Sequence, residues 1–179
     1  MNELPLILKA LAFAAHKHRD QRREDVEASP YINHPIALAN VLANEAGVHD
    51  VEVICAALLH DTVEDTDTTP IELQEEFGNA IARLVMEVTD DKELARDERK
   101  RLQIEHAAAA SRKAKLVKLA DKICNLRDVA QRPPAGWSLE RRQSYFDWAL
   151  QVVDRLRGAH PRLETLFDEA YSQRPAAGT

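Results

Sequence analysis

Apolar positions recur along most of the chain at the spacing of an amphipathic α-helix. The first stripe consists of Leu8, Leu11, Ala12 and Ala15, which follow the i, i+3, i+4, i+7 pattern. Pro5 lies near the predicted start of this helix, where a proline is tolerated. A polar stretch over 19–30 comes next and is predicted to be a loop. The chain therefore opens with a helix that leads into a long polar connection.

Further helices are predicted from capping residues and helix breakers. Asn33 is the expected N-cap of a helix that has Pro35 in its first turn and stops at Gly47. The remaining predicted helices cover 51–65, 70–77, 79–88, a segment that ends near 110, 111–132, 138–157 and 161–173. The stretch 53–59 is apolar all round, which predicts a helix that is buried on most sides.

Composition supports the helical pattern. The chain has 27 Ala and 20 Leu against 12 Val and 8 Ile, and only 5 Gly. Because Ala and Leu favour helices and β-branched residues favour strands, we expect an all-α bundle of about eight to ten helices. No repeat or long linker divides the 179 residues, so we expect a single domain over 1–174, with a disordered tail at 175–179.

Charge and cysteine content exclude several classes of protein. The net charge is −6, whereas a sequence-independent nucleic-acid binder normally carries the opposite sign, so no nucleic-acid partner is expected. No apolar run approaches the ~20 residues that a membrane span needs. Cys55 and Cys124 both lie among apolar neighbours, which indicates reduced core residues of a cytoplasmic protein rather than a disulfide.

Acidic residues occur in unusually apolar surroundings. His60 and Asp61 end the most apolar predicted helix, and Asp121 lies inside another apolar helix. A buried carboxylate needs a cation or hydrogen-bond donors, yet Lys118 and Lys122 are expected to leave the helix in other directions than Asp121. Asp121 therefore either pairs with a neighbouring helix or binds a metal ion.

A third candidate position, His34 at the predicted start of a helix, supports the metal hypothesis together with His60, Asp61 and Asp121. Two imidazoles and two carboxylates form a mixed nitrogen and oxygen set that suits Mn²⁺, Fe²⁺ or Zn²⁺. Neighbours on a helix diverge by about 100°, so His60 and Asp61 can reach one ion only near the helix end. The dipeptide alone is weakly specific because it is common.

Glu64 and Asp65 follow one helical turn later, four residues after His60 and Asp61. They are candidates for activating a water molecule as general bases. The alternative is that they are simply hydrated acids at a frayed helix end.

Basic and aromatic side chains are the candidate contacts for an anionic ligand, since Lys and Arg bind phosphate. The residues singled out are Lys92, Arg99 and Tyr145, with Arg23 in the polar loop. Most other basic residues are expected to be hydrated. The remaining histidines have no partner pattern, and His16 and His18 are expected on an exposed helix end.

Long motifs make the chain resemble a known family. They are RR at 22–23, PYINHP at 30–35, AALLHDTVEDT at 56–66, EVTDDK at 87–92, AKLVKLADK at 114–122, NLR at 125–127, GW at 136–137 and YFDWA at 145–149. These resemble the HD-domain phosphohydrolases, and specifically the small alarmone hydrolases of the metazoan SpoT homolog type. The resemblance covers 8–166, nearly the whole chain.

The resemblance implies an all-helical HD-domain bundle around one Mn²⁺ per chain. The implied reaction is hydrolysis of the 3′-pyrophosphate of ppGpp or pppGpp, a small-molecule nucleotide. The metal ligands would be His34, His60, Asp61 and Asp121, and the water-activating pair would be Glu64 and Asp65. Asn125 would contact ribose or phosphate, and Arg23 would pack against the base.

One departure concerns the base side of the site. The residue after Arg23 is Glu24, where the longer relatives usually have lysine. This departure leaves open a second reading, in which the same HD site acts on NADPH or a nucleoside monophosphate. A third reading is a module that binds without turnover, which the intact Glu64 and Asp65 oppose. The family's long members add a synthetase, and this chain is expected only to degrade.

Overall fold

A computed structural model describes residues 3–176, and these residues form a helical bundle. The helices are α1 (Leu4–Lys17), α2 (Asn33–Asn40), α3 (Val51–Leu59), α4 (Thr62–Asp65), α5 (Pro70–Val88), α6 (Arg96–Ala107), α7 (Arg112–Gln131), α8 (Leu139–Asp154) and α9 (Pro161–Tyr171). A π-helical turn over Val41–Glu45 extends α2. Within this part of the chain the only strand-like pairing is a bridge between Arg22 and Pro30. The predicted all-α class is confirmed.

Helices α3 and α7 lie at the centre of the bundle. All residues from Val53 to Leu59 on α3 are buried, which confirms the helix predicted from its apolar sequence. Helix α3 packs against α1, α2, α5 and α7, and α7 also packs against α8 and α9. The other helices cover most of this pair, while polar side chains near the helix starts, such as Glu52 and Lys113, remain partly exposed.

Several predicted caps are formed. The Asp50 carboxylate accepts hydrogen bonds from the first amides of α3, and Thr69 and Ser111 do the same for α5 and α7. The prediction of Asn33 as an N-cap is wrong. Asn33 is the first residue of α2, and the amide of the second residue, His34, donates to the Tyr31 carbonyl at 2.9 Å, so the preceding turn satisfies a donor that a cap would serve.

Helix α5 is interrupted where the sequence predicts a break. Gly78 has φ 81° and ψ 165°, inside a run that is otherwise helical. A residue with a Cβ atom is strained at such a φ, so glycine is needed here. The two halves of α5 correspond to the two helices predicted over 70–77 and 79–88.

The single helix predicted over 51–65 is wrong. Helix α3 ends at Leu59, and α4 begins at Thr62, so His60 and Asp61 form a turn between them. Asp61 has φ −99° and ψ 0°, and the Thr62 hydroxyl donates to the Leu59 carbonyl at 2.7 Å. These contacts satisfy the end of α3 and turn the chain at the two residues of interest.

The remaining predictions concern the thiols and the tail. Cys55 and Cys124 are free and buried, in agreement with reduced core residues. The predicted tail at 175–179 lies mostly outside the described residues, although the Pro175 carbonyl accepts a hydrogen bond from Gln143. None of the described helices is both long and apolar enough to span a bilayer.

Candidate metal centre and nucleotide cleft

Three separate parts of the fold bring the predicted ligands together. His34 lies in the first turn of α2, His60 and Asp61 form the turn after α3, and Asp121 lies on α7. Ligand atoms of His34, His60 and Asp121 all lie within 4.8 Å of one another. Asp61 Oδ2 lies 2.8 Å from His60 Nε2, so the fourth residue borders the same point.

His60 is oriented by its backbone. Its Nδ1 lies 2.8 Å from the Ala57 carbonyl oxygen, so Nδ1 carries a proton and Nε2 is directed into the site. Nε2 is buried without a hydrogen bond, because the contact with Asp61 is short but not aligned as one. Burial opposes the charged ring, but the neighbouring Asp61 raises the pKa of His60 to about 9. Nε2 therefore attracts either a proton or a cation.

Asp121 is held by three neighbours. Its Oδ1 accepts from Asn125 Nδ2 at 2.7 Å and lies 3.2 Å from His34 Nε2. Its Oδ2 accepts from Lys122 Nζ at 2.9 Å. Burial alone would raise the pKa of Asp121, but the charge of Lys122 and the contact with His34 hold it well below its usual range. Asp121 is therefore ionised and available as a ligand.

The contact with Lys122 corrects the expectation that this side chain leaves the helix in another direction. Lys122 is buried, and its Nζ lies 4.6 Å from the centre of the Trp148 ring. The aromatic face and the Asp121 carboxylate together compensate the buried ammonium group. The neighbouring side chains of Asp121 and Lys122 on α7 thus converge, because Lys122 packs against Trp148 on α8 and turns toward Asp121.

Asp61 has a partner that the sequence did not identify. The Tyr31 hydroxyl donates a hydrogen bond to Asp61 Oδ2. Burial and the Asp61 charge raise the pKa of Tyr31, so the phenol stays protonated and remains a donor. Burial opposes ionisation of Asp61, but His60 and His34 lower its pKa below the usual range.

Glu64 and Asp65 lie at the edge of the metal centre, each in its own set of contacts. Glu64 accepts from the Asp90 amide at 3.2 Å and from Arg99 Nη1 at 3.3 Å. Burial, followed by the charges of Asp61 and Asp90, raises the pKa of Glu64 to about 7. A carboxylate with a pKa near neutrality is suited to take and return a proton.

Asp65 accepts from Gln21 Nε2 at 2.9 Å and also from Lys92 Nζ. Its two oxygens are thus held from two sides, and its side chain is 17 % exposed. The alternative that Glu64 and Asp65 are freely hydrated acids at a helix end does not fit these contacts.

The metal centre lies at the bottom of a cleft of about 270 Å³. The cationic residues that line it are Arg23, Arg96, Arg99, Lys100, Lys118 and Lys122. The acidic residues are Asp61, Glu64, Asp65, Asp90 and Asp121. The cleft therefore has more cations than carboxylates in a protein whose net charge is −6. Such a site favours an anionic ligand over the rest of the surface.

A second cavity of about 410 Å³ adjoins the cleft. The two share the residues Arg23, Tyr31, Asp65, Asn125 and Tyr145. Glu24 lines only the second cavity, which places the departure from the family pattern away from the metal centre. A ligand with an elongated shape can lie across both spaces.

The five predicted substrate contacts all line these two cavities. Arg23 and Asn125 lie at the junction, where Arg23 Nη2 contacts Asp128 Oδ2 at 2.7 Å and Asn125 Oδ1 at 3.5 Å. Tyr145 lies there too, and burial raises its pKa to about 12. Lys92 lines the second cavity and contacts Asp65, and Arg99 lines the cleft and contacts Glu64.

Other residues of the site were not predicted. Lys122 and the Tyr31 hydroxyl have no signal in the sequence beyond their proximity to His60, Asp61 and Asp121. Arg101 and Lys113, by contrast, form ion pairs on the exposed surface, as expected for hydrated helix faces.

The prediction for His18 is wrong, whereas His16 is exposed as expected. His18 is buried under Tyr31, with ring centroids 4.8 Å apart. The ring is covered because α1 ends at Lys17 and the following loop folds back across the helix end.

Comparison with known proteins places this geometry in a family. The family model of the HD domain matches residues 10–149 of this chain. The chain belongs to the HD-domain family. The HD-domain resemblance inferred from the motifs is therefore confirmed.

Among HD-domain proteins the chain is similar to several small relatives. It is 56% identical over 97% of both chains to the guanosine-3′,5′-bis(diphosphate) 3′-pyrophosphohydrolase MESH1 of Homo sapiens. It is 52% identical to the Drosophila melanogaster protein of the same name, over 93% of each. A solved structure of a metazoan ortholog of SpoT that hydrolyses ppGpp superposes with a TM-score of 0.92 and 51% identity, covering 94% and 95% of the two chains.

A longer relative shares only part of its length. The Aquifex aeolicus guanosine-3′,5′-bis(diphosphate) 3′-pyrophosphohydrolase is 43% identical over 69% of this chain, and the match covers 18% of that protein. The HD domain of this chain is thus also found as one segment of larger proteins.

Proposed function

We propose that this protein hydrolyses the 3′-pyrophosphate of ppGpp and pppGpp, which gives pyrophosphate and GDP or GTP. The observation that carries the proposal is the cluster of His34, His60 and Asp121 in a cleft whose lining has more cations than carboxylates. Asp61 borders this cluster through His60, and Glu64 and Asp65 line the same cleft. Relatives with more than half of their residues identical bear the name of this activity. The two reduced core thiols favour a cytoplasmic location.

The residues fit one divalent cation, and we propose Mn²⁺. His34, His60, Asp61 and Asp121 would hold it, since His60 Nε2 is buried without a hydrogen bond and both carboxylates are ionised. When bound, such a cation acts as a Lewis acid and lowers the pKa of a coordinated water molecule.

The chain's own residues supply the proton transfers and the charge. Glu64, with a pKa of about 7, takes a proton from the attacking water, and Arg99 and the Asp90 amide keep its carboxylate in place. Asp65, which Gln21 and Lys92 hold in place, would orient the same water. The cations of the cleft bind the phosphate oxygens and stabilise the negative charge that develops on the leaving group.

The second cavity would hold the nucleoside. Arg23 and Tyr145 lie at the junction of the two spaces, so a guanosine placed beyond them keeps its 3′-pyrophosphate in the cleft. Asn125 at the same junction offers an amide to the ribose or a phosphate. Binding energy from the base and ribose then orients the pyrophosphate toward Glu64.

The product of the reaction tests this function directly. Purified protein with Mn²⁺ and ppGpp is expected to release GDP and pyrophosphate in equal amounts, resolved by anion exchange. Orthophosphate in place of pyrophosphate would contradict the proposed regiochemistry. No turnover of ppGpp, with or without added Mn²⁺, would contradict the substrate.

NADPH is the second candidate substrate, and the specific observation in its favour is Glu24. This residue lines the second cavity, where the longer relatives carry a lysine beside the position of Arg23. This difference changes the cavity that receives the nucleoside and leaves the metal centre as it is, so the same hydrolytic site is open to another phosphorylated nucleotide. Release of orthophosphate from NADPH in the same assay, without turnover of ppGpp, would favour this alternative.

Reversing the charge at Glu24 is expected to strengthen nucleotide binding. In Glu24→Lys the KM for ppGpp should fall about fivefold with kcat unchanged, because the side chain faces the nucleoside cavity and not the metal centre. Steady-state kinetics measure both values. Glu27→Lys is the control, since Glu27 lies exposed in the same loop and lines neither cavity. An equal fall in KM from both substitutions would indicate that the effect comes from the overall charge of the loop and not from the position of Glu24 in the cavity.

A further inference from the structure

A buried histidine lies behind the proposed catalytic edge, outside the HD pattern. His18 is only 2% exposed, and its amide donates to the Ala14 carbonyl at the end of α1. The Gln21 amide donates to the His18 carbonyl at 3.0 Å, and the Gln21 carbonyl accepts from the Tyr31 amide at 3.1 Å. The backbone therefore fixes these three residues relative to one another.

The side chains of His18 and Gln21 form a chain of hydrogen bonds that ends at Asp65. His18 Nδ1 lies 2.6 Å from Gln21 Oε1, and Gln21 Nε2 donates to Asp65 Oδ2 at 2.9 Å. A carbonyl oxygen only accepts, so His18 Nδ1 must carry the proton. The reverse orientation of the Gln21 amide would place two acceptors against each other at Asp65. The Asp65 carboxylate thus determines which way the amide faces, and the His18 donor holds Gln21 in that orientation.

The same ring supports the other side of the site. The rings of His18 and Tyr31 are 4.8 Å apart at 36°, and the Tyr31 hydroxyl donates to Asp61. One buried imidazole therefore contacts both the residue that holds Asp65 and the residue that holds Asp61. His18 lines neither the cleft nor the second cavity, so a nucleotide in these spaces does not touch it.

We propose that His18 is a positioning residue, which fixes the Asp65 carboxylate through Gln21 and sets its orientation for the reaction. This inference rests on the proposed function, in which Asp65 acts on the attacking water. Without the His18 donor, Lys92 is the main contact that fixes the Asp65 carboxylate. The carboxylate then spends less time in the productive geometry, so the loss should appear in kcat rather than in KM. A histidine that only fills space would show no such selectivity.

Two substitutions separate the hydrogen bond from the packing. His18→Phe keeps a ring against Tyr31 and removes the Nδ1 donor, and it should lower kcat about 10- to 100-fold with KM and metal content unchanged. His18→Asn removes the ring but places an amide N–H near the position of Nδ1, so it should restore most of kcat. His16→Phe, at an exposed position of the same helix end, is the control and should leave kcat unchanged.

A full kcat in His18→Phe, or an equal loss in both variants, would overturn the proposal. In an Asp65→Asn background, His18→Phe should cause no further loss, because the two changes act on one group. Full activity of Asp65→Asn alone would refute the role of Asp65 and hence the inference. The ¹⁵N shifts of the His18 ring give a readout independent of turnover. Protonated Nδ1 is expected, and a proton on Nε2 alone would overturn the proposal even in a protein inactive toward ppGpp.

Discussion

Replacing Asp121 with alanine is expected to abolish metal binding and to lower the free energy of unfolding by about 3–5 kcal/mol. The metal loses a ligand, and the loss of stability has a separate cause. Lys122 is buried with its ammonium group on Asp121, so the substitution leaves a buried cation without its counter-charge. Metal content by plasma emission and urea denaturation of metal-free protein measure the two effects separately.

Asp147→Ala is the matched control for this result. Asp147 also pairs with a cation, Arg174, but this pair lies on the partly exposed surface away from both cavities. It should therefore retain full metal content and lose at most about 1 kcal/mol. An Asp121→Ala protein that still binds one metal ion per chain would contradict the assignment of Asp121 as a ligand.

Replacing Glu64 with glutamine is expected to lower turnover of ppGpp about 10²- to 10⁴-fold while metal content stays unchanged. The amide keeps the size of the side chain and can still accept the hydrogen bond from the Asp90 amide, but it cannot take a proton from water. Because the negative charge beside Asp61 is also removed, metal affinity has to be measured together with kcat. Isothermal titration with Mn²⁺ provides that value.

Glu72→Gln is the corresponding control for Glu64→Gln. Glu72 is paired with Lys17 at the start of α5 and lines neither cavity, so the same chemical change there should leave kcat unaffected. Near-normal turnover in Glu64→Gln would remove Glu64 from the mechanism. The next candidate would then be Asp65, which lies on the same edge.

Local sequence signals predicted the helices because most of them are bounded by residues whose effect is local. Asp50, Thr69 and Ser111 cap helices with their own side chains, and Gly78 interrupts α5 with its own φ. Likewise, Asp121 could be singled out from the sequence because a carboxylate is costly inside an apolar helix wherever that helix packs.

The failures have identifiable physical causes. Helix α3 ends before His60 at a local turn in which the Thr62 hydroxyl donates to the Leu59 carbonyl, and helical periodicity alone does not predict this turn. Lys122 folds back onto Asp121 because Trp148 covers it from another helix. His18 is buried because the loop after α1 crosses it. The burial of Lys122 and of His18 thus depends on a residue from another element of the fold.

The location of Glu24 has an evolutionary consequence. The residues proposed for chemistry lie on or beside α3 and α7, the two helices that also form the core, so substitutions there disturb stability and activity together. Arg23 and Glu24 instead lie in the loop between α1 and α2, which lines the nucleoside cavity and carries little of the core. Substrate preference can therefore diverge by exchange of loop residues, while the hydrolytic apparatus is inherited unchanged.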